Sequence, residues 1–542
     1  MTDSTKRTAN APVEIELKLG ASAEAMEALL ASPILRDHAR GDLRTGRLRA
    51  VYYDTPDRRL RARGAALRVR EVDGGARHVQ TLKSAKRADT PHAHRGEWEV
   101  DLDGPDPRPA AFGDRAVFEV TGPLTPEDLR SVFETRVRRR LLVVGWGADG
   151  VAGGSSMPAE VELSFDDGEA VADGRALPIS EVELELVRGD ASSLYDLALA
   201  MRGVAPLRIE PLDKATRGWL LATDAAPPAA KAVPIRLERG QTVDEALALT
   251  LGATLRHWLD NEAAAADGRE PEGLHQLRVA LRRLRSALAI FADAVGRETW
   301  RRWGDELRWL LGPLGPARDL DVLTAGLLPP LLEARGGGEP ALAAFREVAQ
   351  ERRAAAQAGV RETLASQRYA DLALNLAAWI ERRGWRGEAD AGARARQEEE
   401  VGAFAGAVLR RRHRQVRKRG KGFATLDPEA RHELRIALKK LRYGTDFFAG
   451  LFPEAKRAAR FRKAMARMQD RLGHLNDVAV ASRLVHELVD PLPPDDGHAR
   501  TAALGGGELV GWYAHQVAAL EPETVAAWEA FEGLEPFWTG VR

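Results

Sequence analysis

The feature that most constrains this fold is a strand pattern that alternates charged with apolar residues. It begins at residues 13–19, where a strand would carry Glu14, Glu16 and Lys18 on one face and only apolar residues on the other. Equivalent charged faces recur before residue 190, at Arg68 and Arg70, Thr81 and Lys83, Arg95, Glu97 and Glu99, Arg136 and Arg138, Glu160 and Glu162, and Glu181, Glu183 and Glu185. A solvated face of an antiparallel sheet explains any single strand of this kind. Taken together the strands favour a shared polar interior, because rows of like charges repel unless opposite charges or cations lie among them.

A shared interior would bring bases and carboxylates into one cavity. Arginine and lysine suit a chain of linked phosphates. Clustered carboxylate oxygens suit Mg²⁺ or Mn²⁺. The combination predicts phosphoryl transfer or cleavage of a phosphoanhydride.

Composition narrows the alternatives. The 542 residues include 80 basic and 80 acidic side chains, so any electrostatic signal lies in where the charges sit. The absence of cysteine excludes disulfides, thiolate metal sites and cysteine nucleophiles. The polar start of the sequence predicts no signal peptide, and no apolar run is long enough to span a membrane. We therefore expect a cytoplasmic protein with no membrane partner, with polyphosphate granules as a second expected location.

The residue pattern changes after a Pro/Ala-rich segment at 225–233. Before it the sequence is rich in strands; after it leucine, alanine and arginine recur at helical spacings. The expected organisation is a disordered tail at 1–11, a β-rich domain at 12–224, the linker, and an all-helical domain at 234–530. The fold class is α+β and multidomain.

The helical part contains an internal repeat. The segment at 275–285 aligns with 432–442, which lies 157 residues later, and the segment at 314–319 aligns with 472–477, which lies 158 residues later. Two anchors with nearly the same offset predict duplicated helical bundles, at about 234–390 and 391–530.

Each copy of the repeat carries a basic stripe on one helix. His275, Arg278, Arg282 and Arg285 share a face in the first copy, and His432, Arg435, Lys439 and Arg442 do so in the second. A solvated face explains one such helix, but the recurrence in register favours an anion-binding surface. Nucleic acid is the less favoured partner, since no stacking aromatic residues are interleaved with either stripe.

The β-rich part resembles the CYTH domain, the family of triphosphate tunnel metalloenzymes. The resemblance rests on five motifs in order, at 14–18 (Glu-Ile-Glu-Leu-Lys), 52–56, 67–70, 81–83 and 135–136, and on the glutamate row at 181–185. It implies a closed antiparallel barrel of about eight strands with flanking helices, and triphosphate bound inside it.

The same resemblance implies the site residues. Catalysis would involve Glu14, Glu16, Lys18 and Glu183, and the metal ligands would be Glu14, Glu16, Glu181, Glu183 and Glu185. Phosphate would be bound by Lys18, Arg68, Arg70, Lys83, Arg136, Arg138 and Lys214. Asp213, immediately before Lys214, stands where the family has serine.

The helical part resembles the CHAD domain, an all-helical module named for its histidines. The resemblance rests on the two histidine–arginine helices and on the Leu-Gly motifs at 314–315 and 472–473. It implies two repeated four-helix bundles with a polyphosphate-binding surface formed by the two basic stripes, namely His275, Arg278, Arg282, Arg285, His432, Arg435, Lys439 and Arg442.

The expected function is Mg²⁺- or Mn²⁺-dependent hydrolysis of inorganic triphosphate, with a C-terminal polyphosphate-binding domain. Two alternatives stay open: a slow or non-catalytic polyphosphate-binding accessory protein, and a triphosphatase for nucleoside or thiamine triphosphate. The sequence makes no prediction about oligomeric state.

Overall fold

The computed structural model describes residues 15–84, 96–113, 115–147, 158–493 and 495–538. The described residues form two compact units. The sheet unit comprises residues 15–227 together with 367–382, and the helical unit comprises residues 228–366 together with 383–538. The chain first crosses between them at residues 227 and 228, inside the segment predicted to be a linker.

One antiparallel sheet of nine strands dominates the described part of the sheet unit. In spatial order the strands run β5-β4-β3-β2-β6-β7-β8-β1-β9. Their bounds are β1 (Glu16–Gly20), β2 (Arg44–Asp54), β3 (Ala66–Val72), β4 (Arg77–Lys83), β5 (Glu97–Leu102), β6 (Arg130–Trp146), β7 (Ala159–Ala172), β8 (Arg175–Arg188) and β9 (Arg208–Ile209).

The predicted closed barrel is wrong, since the sheet has two edges. Strands β5 and β9 stand at opposite ends of the order, and no backbone pairing joins them within the described residues. β9 contributes only two residues, which pair with β1. The sheet nevertheless curls. Lys83 and Glu97, near one edge, lie close enough to Glu185 on β8, near the other edge, to affect its pKa. We call the concave surface, which carries Lys18, Arg139 and Glu183, the inner face.

The outer side of β1 and β8 is part of a hydrophobic core. Leu17 and Leu19 of β1 are buried, as are Val182 and Leu184 of β8. Their period-2 alternation with charged residues directs them away from the inner face and under a helix. The helices before the linker are α1 (Ala23–Leu30), α2 (Pro33–Arg36), α3 (Arg59–Ala62), α4 (Arg115–Thr121), α5 (Ser192–Arg202), which covers β1 and β8, and α6 (Lys214–Thr223).

After the linker the chain is helical. In chain order the helices are α7 (Val243–Leu259), α8 (Glu262–Asp267), α9 (Pro271–Ile290), α10 (Ala292–Val295), α11 (Arg297–Asp321), α12 (Leu328–Ala334), α13 (Pro340–Ala365), α14 (Gln367–Glu381), α15 (Trp385–Glu388), α16 (Ala391–Glu398), α17 (Val401–Gly420), α18 (Pro428–Phe448), α19 (Ala455–Val489) and α20 (Gly497–Glu532). A π-helical segment, Val322–Leu327, separates α11 from α12.

The repeat maps onto corresponding helices. The basic stripes lie on α9 and α18, and both helices begin at a proline, whose fixed φ suits the first helical position. The second pair of aligned segments, 314–319 and 472–477, lies on α11 and α19. Pro313 and Pro316 lie within α11 and do not end it. Among the described residues, no helix is long and apolar enough to serve as a membrane span.

Helix α14 departs from the predicted domain boundaries. Its sequence position is within the expected first helical bundle, yet residues 367–382 belong to the sheet unit. It packs there against α5 and β9.

Candidate functional site

The register of the strands brings the predicted charges onto one surface. Lys18 on β1 pairs with Glu183 on β8, and Asp166 on β7 pairs with Glu181. Because paired residues of antiparallel strands point to the same face, these side chains all meet on the inner face. Glu14 lies outside the described residues, so its predicted role stays a prediction.

A buried network of ion pairs occupies the β1–β8–β7 part of the inner face. Asp166 and Glu181 have no solvent-exposed side-chain surface. The Nζ of Lys214 lies 2.6 Å from Asp166 and 2.9 Å from Glu183, and also contacts Glu181. Lys18 Nζ lies 2.5 Å from Glu183. Both lysines in this part of the inner face therefore contact carboxylates.

The ionisation of this network follows from its pairing. For Glu183, burial opposes ionisation, but Lys18 and Lys214 outweigh it and hold its pKa well below the ordinary value. For Lys214, burial acts against the charge, but Glu183 and Asp166 outweigh it and raise the pKa. Both groups stay charged at neutral pH.

Helix α6 supplies Lys214 to this network. Asp213 caps the helix, accepting a hydrogen bond of 2.6 Å from Thr216 N, so the residue that replaces the family's serine fixes the helix start. Arg217, one turn after Lys214, contacts Glu181. The helix can lie close to the sheet because residue 218 is glycine: a Cβ there would stand 2.1 Å from the Phe133 ring.

Three of the buried carboxylates, those of Asp166, Glu181 and Glu183, could hold a metal ion by position alone. One ligand oxygen from each lies within 4.8 Å of the others. However, the Lys214 ammonium contacts all three, and Arg139 adds 2.6 Å and 2.7 Å contacts to Asp166 and Glu183. Their negative charge is thus already compensated by side chains of this chain.

A second row of carboxylates is only partly compensated: Lys18 Nζ lies 2.7 Å from Glu16, but Glu185 has acidic neighbours on both sides. Glu16 and Glu162 are the register partners of Glu185 on its two sides. Burial, then Glu162, then Glu16 raise the pKa of Glu185, and Lys83 only partly opposes them. Like charges placed directly opposite are destabilising unless a cation joins them, so this row fits a divalent ion by its chemistry.

Basic side chains line the facing strands β3 and β4. Arg70 lies 3.0 Å from Glu99, and Lys83 lies 2.9 Å from Glu97. The charge of neighbouring Arg68, followed by burial, lowers the pKa of Arg70 to about 10. The Nε atoms of Arg68 and Arg70 are buried without a hydrogen-bond partner in the described structure. Mutually repelling guanidinium groups with unused donors fit a polyanion.

Arg136 and Arg138 need a correction, because they lie on the opposite face of β6. Their side chains are 55% and 52% exposed, and they pair with Glu169 and Asp167 on the outer surface. Arg139 takes the inner position instead. The alternation along β6 wrongly predicted that Arg136 and Arg138 face inward. Arg139 alternates in step with Phe133, Val137 and other apolar residues, so the sequence pattern placed it on the apolar face. Phe133 points inward because α6 packs on the inner face at that end.

Several inner-face residues and one structural role were not predicted from the sequence. Asp166 and Arg217 are absent from the predicted site, and Glu162 was recognised only as a charged face; the i+3 spacing of Arg217 from Lys214 was a usable signal. Asp54, within the motif at 52–56, is a structural residue: it is buried and accepts backbone hydrogen bonds from Thr55, Leu60 and Arg61.

The helical unit contains a separate basic cluster where α9, α11, α18 and α19 pack together. The electrostatic neighbours of Lys439 on α18 include Arg435 on the same helix, Arg282 and Arg278 on α9, and Asp477 on α19. Burial, then Arg435 and Arg282, lower its pKa to about 7. One acidic neighbour does not compensate three bases.

The same cluster contains unused hydrogen-bond donors. The Nε atoms of Arg278, Arg282 and Arg435 are buried and lack hydrogen-bond partners among the described residues. His275 also belongs here: burial, followed by Arg318, lowers its pKa to about 4, so it is neutral at pH 7. Arg318 on α11 was not among the predicted site residues.

The other stripe residues have local partners. His432 Nδ1 lies 3.2 Å from Asn476 Oδ1, which also accepts a 3.1 Å hydrogen bond from Arg435. Arg442 donates to Gln469, and the charged neighbours of Arg285 are Arg308 and Asp305. The basic cluster is therefore formed mainly by the central residues of the two stripes.

Comparison with known proteins supports the division of the chain into an N-terminal strand-rich part and a C-terminal helical part. Family models of the CYTH domain and the CHAD domain match residues 13–219 and 249–486. The inorganic triphosphatase of Haemophilus influenzae is 28% identical over 174 residues, which are 32% of this chain and 45% of that protein. The chain thus matches about half the length of this relative.

Two solved structures are similar in part. The CHAD domain of the plant Ricinus communis is 31% identical, with a TM-score of 0.49, over 57% of this chain and 98% of that one. A Hippeastrum protein, described as a putative adenylyl cyclase with a dominant triphosphatase activity, is 22% identical, with a TM-score of 0.28, over 37% of this chain and 92% of that one. From the two family matches, the chain belongs to the CYTH and CHAD families, with a CYTH domain followed by a CHAD domain.

Proposed function

We propose that the sheet unit hydrolyses inorganic triphosphate with a divalent metal ion and that the helical unit binds polyphosphate. The observation that carries the first part is the separation of charges on the inner face. Unused guanidinium donors lie on β3, while a carboxylate row of Glu16, Glu185 and Glu162 crosses β1, β8 and β7 and is only partly compensated by Lys18 and Lys83. Such a surface offers phosphate contacts and metal ligands side by side.

The proposed metal ligands are Glu16, Glu162 and Glu185, together with Glu14, rather than the buried carboxylates that contact Lys214. A bound Mg²⁺ or Mn²⁺ would act as a Lewis acid on phosphate oxygens. Asp166, Glu181 and Glu183 would instead hold Lys18, Lys214 and Arg139 in place, because their charges are already paired with these bases. This assignment removes Glu181 and Glu183 from the ligand set predicted from the sequence and adds Glu162.

The bases of the inner face would orient the substrate and stabilise the charge that develops on it. Arg68, Arg70, Lys83 and Arg139 would contact phosphate oxygens. Water attacks the terminal phosphorus, the P–O bond to the bridging oxygen breaks, and the products are phosphate and pyrophosphate. The water proton passes to solvent or to a neighbouring carboxylate, and the bases offset the negative charge of the departing pyrophosphate.

Inorganic triphosphate is preferred over nucleoside or thiamine triphosphate because the aromatic side chains found on the inner face are already packed. Tyr52 stacks on Phe133 with ring centroids 4.4 Å apart, and Phe133 meets Trp219 edge to face. Arg61 covers the Trp219 ring at 4.9 Å. These rings fill the space beside α6 and offer no open surface for a base.

The test is phosphate release from triphosphate, ATP and thiamine triphosphate with Mg²⁺ or Mn²⁺. We expect triphosphate to be the best substrate and chelator to abolish the reaction. Glu185→Gln should lower kcat by about 100-fold or more, while Glu169→Gln on the outer face should leave it within twofold. Equal activity of both variants, or no phosphate release from triphosphate, would refute the proposal.

For the helical unit, the supporting observation is the set of unused guanidinium donors on α9 and α18. Arg282→Ala and Arg435→Ala should each weaken binding of long-chain polyphosphate and reduce its salt dependence, since each removes a phosphate contact. Arg414→Ala on the exposed face of α17 is the matched control. Stronger binding of RNA than of polyphosphate at equal phosphate concentration would favour the nucleic-acid alternative instead.

A further inference from the structure

Helix α14 is a segment of the helical sequence that is built into the sheet unit. The family match to the CHAD domain runs continuously through it, yet it packs against α5 and β9. Ten of its 15 residues are buried, on most sides of the helix. A helix buried to this extent is a structural part of its unit rather than a surface attachment.

Ion pairs anchor both ends of α14 to α5. Near its start, Asp371 accepts contacts of 2.6 Å and 2.5 Å from Nε and Nη2 of Arg202. Just past its end, Arg382 contacts Asp196. The start of α14 thus lies near the end of α5, and its end near the middle of α5, so the two helices run in opposite directions.

Strand β9 connects α14 to the inner face. It pairs with β1, matching Ile209 with Leu19, and the amide of Glu210 donates a 2.9 Å hydrogen bond to the carbonyl of Lys18. Four residues after Glu210, Lys214 begins α6. The position of this short segment therefore affects both lysines that contact Glu183.

A two-residue strand cannot hold this position by its own hydrogen bonds, because so short a pairing is marginal in water. Packing has to supply the rest, and α14, which contacts both β9 and α5, provides it. We propose that α14 is a positioning element of the catalytic unit, which holds β9 against β1 and so fixes Lys18 and Lys214 on the inner face.

The expected effect on triphosphate hydrolysis rests on the proposed function, whereas the expected effect on hydrogen exchange does not. In the full-length protein, Arg202→Asp and Asp371→Arg each place like charges where the ion pair stands, and the double variant restores an opposite pair in reverse. Asn375→Ala, at an exposed position of α14, is the matched control.

Each single reversal should lower kcat for triphosphate about tenfold with a smaller change in KM, since loss of alignment affects the reaction more than binding. It should also speed hydrogen exchange at the amides of Leu19 and Ile209. The double variant should recover most of both effects, and the control should match the parent protein. Recovery by the double variant excludes general misfolding as the cause.

The two proposals fail in different ways. If the single reversals speed exchange in β1 and β9 but no variant or parent hydrolyses triphosphate, α14 holds β9 and the proposed function is wrong. If the parent is active and both reversals leave kcat and exchange unchanged, the positioning role of α14 is overturned while the function stands. Loss of activity that the double variant does not recover also contradicts the positioning role.

Discussion

At the residue scale, the decisive distinction is between adjacent arginines on β6. Arg139 contacts Asp166 and Glu183 inside the curled sheet, whereas Arg138 pairs with Asp167 on its outer surface. One residue of register exchanges the two faces of a strand. A role in binding the substrate can therefore belong to one of these neighbours and not to the other.

This distinction leads to the first prediction. Arg139→Ala should lower kcat/KM for triphosphate by about 100- to 1000-fold, because it removes a base that stabilises phosphate charge and leaves Asp166 short of a partner. Arg138→Ala should stay within about twofold, since an exposed ion pair contributes little. Steady-state phosphate release measures both. Equal losses in the two variants would contradict the assigned register.

The second prediction concerns Lys439 in the helical unit. Its pKa of about 7 in the free site follows from burial and from the surrounding arginines. A bound polyanion favours the charged ammonium and raises that pKa, so binding above pH 7 requires proton uptake. Polyphosphate affinity should therefore be highest below pH 7 and fall as the pH rises through 7 to 9.

Lys439→Gln should bind more weakly at pH 6 and lose most of this pH dependence. Lys440→Gln is the matched control, because the side chain of this neighbouring lysine is exposed. Binding isotherms at pH 6, 7, 8 and 9 at constant ionic strength provide the measurement. An unchanged pH profile in Lys439→Gln would exclude this lysine as the titrating group.

At the element scale, the packing of α6 against the sheet controls how Lys214 and Arg217 reach the buried carboxylates. The helix contacts β6, β7 and β8, and its close approach depends on the missing side chain of Gly218. Phe133, against which the helix lies, is stacked on Tyr52 and cannot move without disturbing that ring. This element is therefore sensitive to a single added methyl group.

The third prediction follows from this close packing. Gly218→Ala should destabilise the sheet unit by about 1–3 kcal/mol through overpacking and should reduce triphosphate hydrolysis by displacing Lys214. Gly507→Ala in α20 has open space around the new Cβ and should stabilise its helix by up to about 1 kcal/mol. Thermal unfolding and activity measured on the same samples test both. Normal activity in Gly218→Ala would contradict the claim that the close packing of α6 positions Lys214.

At the scale of the whole molecule, two compact units share one polypeptide that crosses between them more than once. The chain leaves the helical unit after residue 366, forms α14 in the sheet unit, and returns after residue 382. Arg383, the first residue after this return, is anchored by Asp244 of the helical unit. Each unit carries its own group of buried basic side chains with unused donors.

The fourth prediction is that the two units respond to different ligands. Mn²⁺ with a slowly hydrolysed triphosphate analogue should protect β1, β8 and α6 from hydrogen exchange, and long-chain polyphosphate should protect α9 and α18. A ligand at 100 times its Kd stabilises its unit by about 2.7 kcal/mol. Helix α14 should follow the stability of the sheet unit. Protection of α14 that changes only with the helical unit would contradict its assignment.

The sequence determined the local structure and the residue types available for chemistry. Alternation with period 2 placed Glu16 and Lys18 opposite Leu17 and Leu19, and helical spacing placed Arg278 and Arg282 on one side of α9. These patterns are periodic properties of one segment, so neighbouring residues suffice to predict them. The change of period at 225–233 coincides with the first crossing between the two units, at residues 227 and 228.

Tertiary structure decided which of these residues act together. Packing of α6 on the inner face turned Phe133 inward and with it Arg139, in place of Arg136 and Arg138. The Lys214 ammonium reached the most buried carboxylates, whereas Glu185 lies between Glu16 and Glu162 and is only partly compensated by Lys83. Contacts of α14 with β9 joined segments more than 150 residues apart. Such outcomes depend on long-range contacts, which no local periodicity encodes.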